Sequence, residues 1–330
     1  MKVVVTGGTG FVGSHTVGAL VRQGHEVRVL ARRPEMVARV LAPLGVTAEA
    51  VRGDVTDPES VAAAFDGCDA VIHAAARIGV STGTGQVDDV NVEGTRAVLT
   101  QAVRLDMDPI VYTSTISMYL PSQLPVITPQ SPMAKPLSRY AASKHKAELV
   151  VREFQADGHP VTSFAVGGVY GPHSPNLDSS FAGVLGALRS MMLVPPGGTT
   201  VVDVRDTAEL LARATQPGRG PRRYLAGGRY VTWSEWVDLL GTAAQTVVAR
   251  QDVTADEMVA LGREFDEQRR QGVQVDIPLT EEAAIVMTSC PPTDDSVTLS
   301  ELDLDYRPTV ETFRDTVGYL RAEGHLPPPD

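Results

Sequence analysis

The chain has 330 residues, of which 43% are hydrophobic and 21% charged, and a formal net charge of -11. Such a composition without low-complexity tracts excludes a disordered or fibrous chain, and the length suits one large domain with a smaller one attached. The acidic balance argues against a general binder of nucleic acid or anionic membrane, because those surfaces must attract phosphate. The opening MKVVVTGG runs apolar only from Val3 to Val5 before Thr6, Gly7 and Gly8, too short for a signal-peptide core. No window reaches the roughly 18 apolar residues of a membrane span, so a cytoplasmic protein is expected. Cys68 and Cys290 stand apart with no Cys or His at ligand spacing, so neither a disulfide framework nor a metal site is expected.

In chain order, short apolar runs predict strands over residues 2–6, 26–31, 48–53, 69–75, 109–114 and 161–166. Helix-like segments lie between them at 12–23, 35–43, 58–65, 86–105 and 139–157. Alternation of this kind predicts an α/β fold, a doubly wound parallel sheet of Rossmann type with right-handed crossovers. After residue 166 the rhythm breaks at GPHSP, VPPGG and QPGRGPRR, where Pro and Gly punctuate the chain. We therefore expect a dinucleotide-binding domain over 1–165 and a smaller mixed α/β substrate domain over 166–330, with 201–214 reading as strand then helix and returning to the first. Trp233 and Trp236 read as packing anchors of a helix, and 263–272 as a solvated helix face.

The run VVVTGGTGFVG places Gly7, Gly10 and Gly13 between the first strand and the first helix. Glycines there let the backbone turn tightly, so that N–H groups around Phe11 and Val12 can approach a pyrophosphate seated on the positive end of the helix. The second strand ends in Arg32 and Arg33 with no acid at its tip, which favours NADP over NAD, since a guanidinium fork suits a 2'-phosphate. Asp54, followed by Val55 after the third strand, is placed to accept from an adenine amino group or to cap the next helix, although Thr56 and Asp57 lie nearer for capping. Ala74, Ala75 and Ala76 are small enough for backbone to pass close to a cofactor, and His73 before them reads as packing.

In SRYAASKHKAEL, Tyr140 and Lys144 stand four positions apart, so their polar ends emerge on one helix face. Together with TGGTGFVG, GDVTD, HAAA, NVEGT, TST, YAASK, GGVYGP and VDVRDTAE in this order, the segment makes the chain resemble the extended short-chain dehydrogenase/reductase superfamily. That branch includes nucleotide-sugar epimerases, dihydroflavonol-type reductases and 3β-hydroxysteroid dehydrogenases. The resemblance covers about the first 210 residues. It implies that Tyr140 is the general acid/base, that Lys144 acidifies the phenol and holds the nicotinamide ribose, that Thr115 hydrogen-bonds the substrate oxygen, and that Asn91 helps order the site. It also implies a homodimer.

Two departures shape the expected substrate. Ala165 and Val166 stand where many sugar-nucleotide members carry Arg-Pro, and Arg205 is the only arginine in PGGTTVVDVRD, so cationic partners for a substrate diphosphate are scarce. Phe181, Leu185, Leu188, Met191, Met192 and Leu193 either line an apolar pocket or pack the smaller domain. The reading is an NADP-dependent oxidoreductase exchanging hydride with a carbonyl or secondary alcohol of a small, largely apolar molecule. The alternatives are an epimerase or dehydratase holding NAD tightly, and a non-catalytic dinucleotide sensor.

Overall fold

The structure is a computed structural model, and it describes residues 1–77, 89–275, 277 and 279–328. The first half alternates as β1 (Lys2–Thr6), α1 (Phe11–Arg22), β2 (Glu26–Ala31), α2 (Glu35–Leu41), β3 (Glu49–Arg52), α3 (Pro58–Phe65) and β4 (Ala70–His73). It continues with α4 (Gly94–Arg104), β5 (Ile110–Thr115), α5 (Arg139–Ala156) and β6 (Val161–Val166). The expected helix over 86–105 is divided: Asp89–Glu93 form a π-helical turn ahead of α4, and residues 86–88 lie outside the described residues. Asp57, rather than Asp54, caps α3 by accepting from the Glu59 N–H at 3.1 Å, with Pro58 at the first helical position where its missing N–H costs nothing.

The second half holds β7 (Gly168–Tyr170), α6 (Ser179–Arg189), β8 (Met192–Val194), β9 (Gly198–Asp203), α7 (Val204–Arg213), β10 (Arg222–Ala226) and β11 (Arg229–Thr232). After these come α8 (Trp233–Ala244), β12 (Arg250–Asp252), α9 (Ala255–Arg270), α10 (Glu281–Ser289), α11 (Ser296–Glu301) and α12 (Thr309–Ala322). Seven parallel strands form the main sheet in the order β10-β6-β5-β4-β1-β2-β3. Val3, Val4 and Val5 of β1 are fully buried, as a strand covered by helices on both faces requires. Strand order reverses between β1 and β4, which opens a crevice at their carboxyl ends.

The segment 201–214 divides between the layers. Its helix, α7, packs against α1 on the main sheet, whereas β9 pairs with β7 and β11 in a separate three-stranded sheet, and β10 supplies the seventh strand. A second core joins α6, α8 and α12 around Phe181, Trp236 and Phe313. Phe181 and Leu185 are buried in it, Leu188 and Met192 pack on it, and Met191 is exposed, so this run chiefly packs the smaller layer. Trp236 is buried there as well, while Trp233 donates its indole N–H to the Met287 carbonyl at 2.8 Å. Phe11 reaches the same core from the glycine turn, its ring centroid 5.4 Å from that of Phe181.

The close approach of Gly13 to the glycine turn gives a direct test. A Cβ on Gly13 would lie 2.1 Å from the Gly7 carbonyl oxygen, whereas one on Gly183 of α6 meets nothing within 4 Å. Gly13→Ala is expected to lower unfolding free energy by about 2 kcal/mol or more through overpacking. Gly183→Ala should raise it by about 0.5 kcal/mol through helix propensity. Denaturant titration of both variants distinguishes a position that must be glycine from one that merely tolerates it.

Candidate active site

The crevice is built first by the glycine turn. Gly7 takes φ +75, and a Cβ there would lie 2.5 Å from the Ala75 nitrogen, so only glycine lets β1 pass the Ala74–Ala75 backbone. The Gly10 N–H bonds the Gly7 carbonyl at 2.9 Å, closing the turn. No side chain caps α1, and the N–H groups of Phe11, Val12 and Gly13 have no protein partner among the described residues. Free donors at a helix start, reinforced by the helix dipole, fit a pyrophosphate. Arg32 and Arg33 are exposed at the end of β2, and neither guanidinium is in an ion pair among the described residues. Arg52 alongside binds the Arg32 carbonyl at 3.0 Å. Asp54 accepts from the N–H and hydroxyl of Thr56 at 3.0 and 2.8 Å, which fixes its carboxylate in the loop beyond β3. Val55 is buried against Gly94.

The second wall is α5, started by Ser138, whose hydroxyl accepts from the Ala141 N–H at 3.1 Å. Tyr140, Lys144, Glu148 and Arg152 recur at four-residue spacing along one face. Lys144 is buried, and its ammonium donates to the Tyr112 hydroxyl at 2.8 Å and the Thr113 carbonyl at 3.1 Å, both on β5. Burial lowers its pKa from 10.5 to about 8, with Glu148 opposing the shift. That change corresponds to about 3 kcal/mol against the charged form.

The Tyr140 phenol departs from expectation: it is pushed up to about 12, first by burial and then by the negative charge of Asp178. Lys144 does not acidify it, because the ammonium is turned toward β5. Asp178 also caps α6, accepting from the N–H groups of Ser180 and Phe181 at 3.0 and 3.4 Å. Glu148 is wholly buried with its pKa raised by burial; Ser163 lies 3.4 Å and Arg152 3.6 Å from one carboxyl oxygen. Neither acid stood out in the sequence, although the four-residue periodicity from Tyr140 marks Glu148.

Thr115 ends β5 half-exposed, and its hydroxyl oxygen accepts from the Ser117 N–H at 3.2 Å, which leaves its own proton available to donate. Ser114 is buried on the other face, 3.7 Å from the Met118 sulfur. Asn91 is buried in the π-helical turn. It accepts from the Arg77 N–H at 2.8 Å and donates to the Arg77 carbonyl at 3.2 Å and the Ser143 hydroxyl at 2.9 Å, tying the loop after β4 to α5. His73 is more than packing: its ring nitrogens lie 2.6 Å from the Thr6 hydroxyl and 3.2 Å from that of Thr95. Among the described residues no group of His, Cys, Asp and Glu could hold a metal ion, and no helix is long and apolar enough to cross a membrane.

A phosphate-ready helix start at the switch point of a parallel sheet, with Tyr140 and Lys144 on a neighbouring helix, is a Rossmann arrangement suited to a dinucleotide. A sequence profile of the NAD dependent epimerase/dehydratase family matches residues 3–227, and the chain belongs to that family, within the extended short-chain dehydrogenase/reductases. It is similar to sterol demethylase protein B of Methylococcus capsulatus, 31% identical over 248 residues, covering 70% of this chain and 71% of that one. It is 37% identical over 129 residues to a 3 beta-hydroxysteroid dehydrogenase/Delta 5-->4-isomerase of Mycobacterium tuberculosis, where the match spans only 37% of this chain and 34% of that relative. The fold resembles UDP-glucose-4-epimerase from Stenotrophomonas maltophila solved with bound NAD, with TM-score 0.77, 20% identity, and coverage of 98% and 99% of the two chains.

Asp178→Asn tests what sets the phenol. Asparagine also caps helices, so α6 should persist, while loss of the negative charge favours phenolate and should bring the Tyr140 midpoint down from about 12. The phenolate absorbance difference between each protein and its Tyr140→Phe counterpart reads this midpoint. An unchanged midpoint would leave burial as the sole cause.

Proposed function

We propose that the protein is an NADP-dependent oxidoreductase exchanging hydride with the carbonyl or secondary alcohol of a small, largely apolar substrate. The observation that carries this reading is the pairing, one helical turn apart beside the crevice, of a protonated phenol at Tyr140 with a buried ammonium at Lys144. The cofactor, when bound, supplies or accepts the hydride. Residues 1–165, with α7 and β10, would hold it, and the remainder would recognise substrate.

In carbonyl reduction Tyr140 gives its proton to the substrate oxygen, and in alcohol oxidation it takes one back. Thr115 donates a hydrogen bond to the same oxygen and steadies its developing negative charge. Lys144 has three N–H donors, of which two are committed to β5; the third is the one available to a ribose hydroxyl of the cofactor. A phenol held at about 12 is suited to act as the acid. Asn91 keeps the loop after β4 in register with α5, and Arg32 would grip a 2'-phosphate.

Three features support a neutral, apolar substrate over a nucleotide sugar. Arg205 is committed to Asp203 at 2.7 Å and Asp315 at 2.6 Å, so it is not free for a diphosphate. The first N–H groups of α6 are taken by Asp178, whose charge would repel an anion. The segment between β5 and α5 exposes Leu124, Val126 and Leu137. The sterol-related names of the two relatives agree with this class. A homodimer is proposed through α5, whose outer side carries exposed Leu149.

The test mixes the protein with NADPH and a panel of aldehydes and ketones while following cofactor absorbance. Turnover is expected with apolar carbonyls, and Tyr140→Phe should reduce it by about 100-fold or more. Arg32→Ala should weaken NADPH by about 10-fold and leave NADH unchanged, as loss of one charge-assisted bond predicts. Full activity in the phenylalanine variant removes Tyr140 as the acid. Copurified NAD with stabilisation by UDP-sugars would establish the epimerase alternative, and cofactor binding without any turnover the sensing one.

A further inference from the structure

Behind Lys144 lies a set of buried polar groups that the proposed reaction does not use. Tyr112, Thr95, His73 and Thr6 are each at most 1% exposed, yet each carries a polar atom that must find a partner in the interior. The proton positions follow from one bond. The Thr95 hydroxyl donates to the Asn91 carbonyl at 2.7 Å, so its oxygen can only accept from its other neighbours. The His73 Nε2, 3.2 Å away, therefore carries the ring proton, and its bare Nδ1 accepts from the Thr6 hydroxyl at 2.6 Å. His73 is held neutral, its pKa lowered to about 3 by burial and then by Lys144, which agrees with a ring that carries one proton.

Tyr112 adjoins the same set. Its phenol oxygen accepts from the Lys144 ammonium at 2.8 Å, and the Thr95 side chain lies beside it. The Asn91 side chain donates to Ser143, the residue before Lys144, so the Thr95 and Asn91 end of this set is tied to the same helix. The ammonium also lies 4.6 Å from the centroid of the Tyr112 ring.

We propose that Tyr112 is a positioning residue for Lys144: its hydroxyl, fixed on β5, accepts from the ammonium and holds it in place so that one donor is left for the cofactor. The proposal rests on the reading of Lys144 given above and deepens it. A lysine has a long flexible stem, and the Thr113 carbonyl alone is a single anchor. The other groups facing the ammonium do not substitute for the phenol. His73 is neutral and committed to two threonines, Tyr140 lies one turn back at the crevice, and Glu148 one turn on interacts with Ser163 and Arg152.

The chain contains only four lysines, Lys2, Lys135, Lys144 and Lys146, so the protein labelled with carbon-13 at the lysine ε carbon gives a readable NMR titration, with Lys144→Met identifying the signal. A hydrogen bond accepted from the charged form favours that form, so its loss must lower the midpoint. Tyr112→Phe keeps the ring and removes only the hydroxyl; it should move the Lys144 midpoint down by about one pH unit, in the range expected for a charge-assisted bond. Thr95→Val, which keeps the phenol and removes the hydroxyl beside it, should move it the same way by less. Thermal melts confirm folding, and should Tyr112→Phe not fold, the downward move in Thr95→Val carries the test. In carbonyl reduction with NADPH, Tyr112→Phe should lose about 3-fold in kcat at a pH midway between the two midpoints, approaching about 10-fold above both, and recover toward the wild-type rate at lower pH. A Lys144 midpoint equal to wild type in the folded variants overturns the proposal. A shifted midpoint in a protein whose wild type neither binds nor oxidises NADPH would leave this arrangement standing and remove the proposed function instead.

Discussion

The Lys144 ammonium sits out of water at the base of the crevice, and the surrounding chain has to make that position tolerable. Burying a cation without acceptors is costly, and the ammonium is met by a phenol and a carbonyl from the adjacent strand. Those acceptors exist only because β5 runs parallel to β4 and β6 at a register that brings Tyr112 opposite His73 and Ser163. Sheet, helix α5 and π-helical turn therefore have to agree before the lysine can be seated. The residual penalty against the charged form brings its titration into a range where it matters for chemistry.

The same geometry governs the opposite wall. Three N–H groups at the start of α1 have no protein partner among the described residues, where Gly7, Gly10 and Gly13 allow the strand to turn within bonding distance of itself. Phe11, inside that turn, is anchored in the core of the smaller layer against Phe181, so the phosphate end of the crevice and the layer proposed to recognise substrate share a packing contact. Asp178 caps the first helix of that smaller layer and at the same time opposes a negative charge on Tyr140. Closed-up glycine backbone and apolar packing thus hold the two walls that an acid and a cofactor need between them.

The strands of the first half were legible because parallel strands buried on both faces are written as short β-branched runs, and Gly7, Gly10 and Gly13 announced the turn after β1. Tyr140 and Lys144 were visible as a four-residue spacing, and Asn91 and Thr115 through ordered motifs. What escaped depends on who is opposite whom. Nothing in PIVYTST says that Tyr112 faces Lys144, and His73 looked like packing because its threonine partners are 67 and 22 residues away. The expected acidification of Tyr140 failed because spacing along a helix fixes direction but not which neighbour an ammonium chooses. The run from Phe181 to Leu193 was ambiguous for a related reason, since apolar residues that fill a core and those that line a pocket have the same composition. Strand β10 joining the main sheet was hidden by the Pro and Gly around it.

The central claim is that a charged Lys144 holds the cofactor beside a protonated Tyr140 during hydride transfer. It is tested most directly by the pH dependence of the single-turnover rate of NADPH oxidation with a reactive apolar carbonyl. Tyr140, held at about 12, stays protonated across the accessible range, so the account predicts a plateau at low pH and a loss of rate as pH rises through about 8, where Lys144 gives up its proton. A rate that holds level up to the pH at which an ordinary exposed lysine titrates would contradict it.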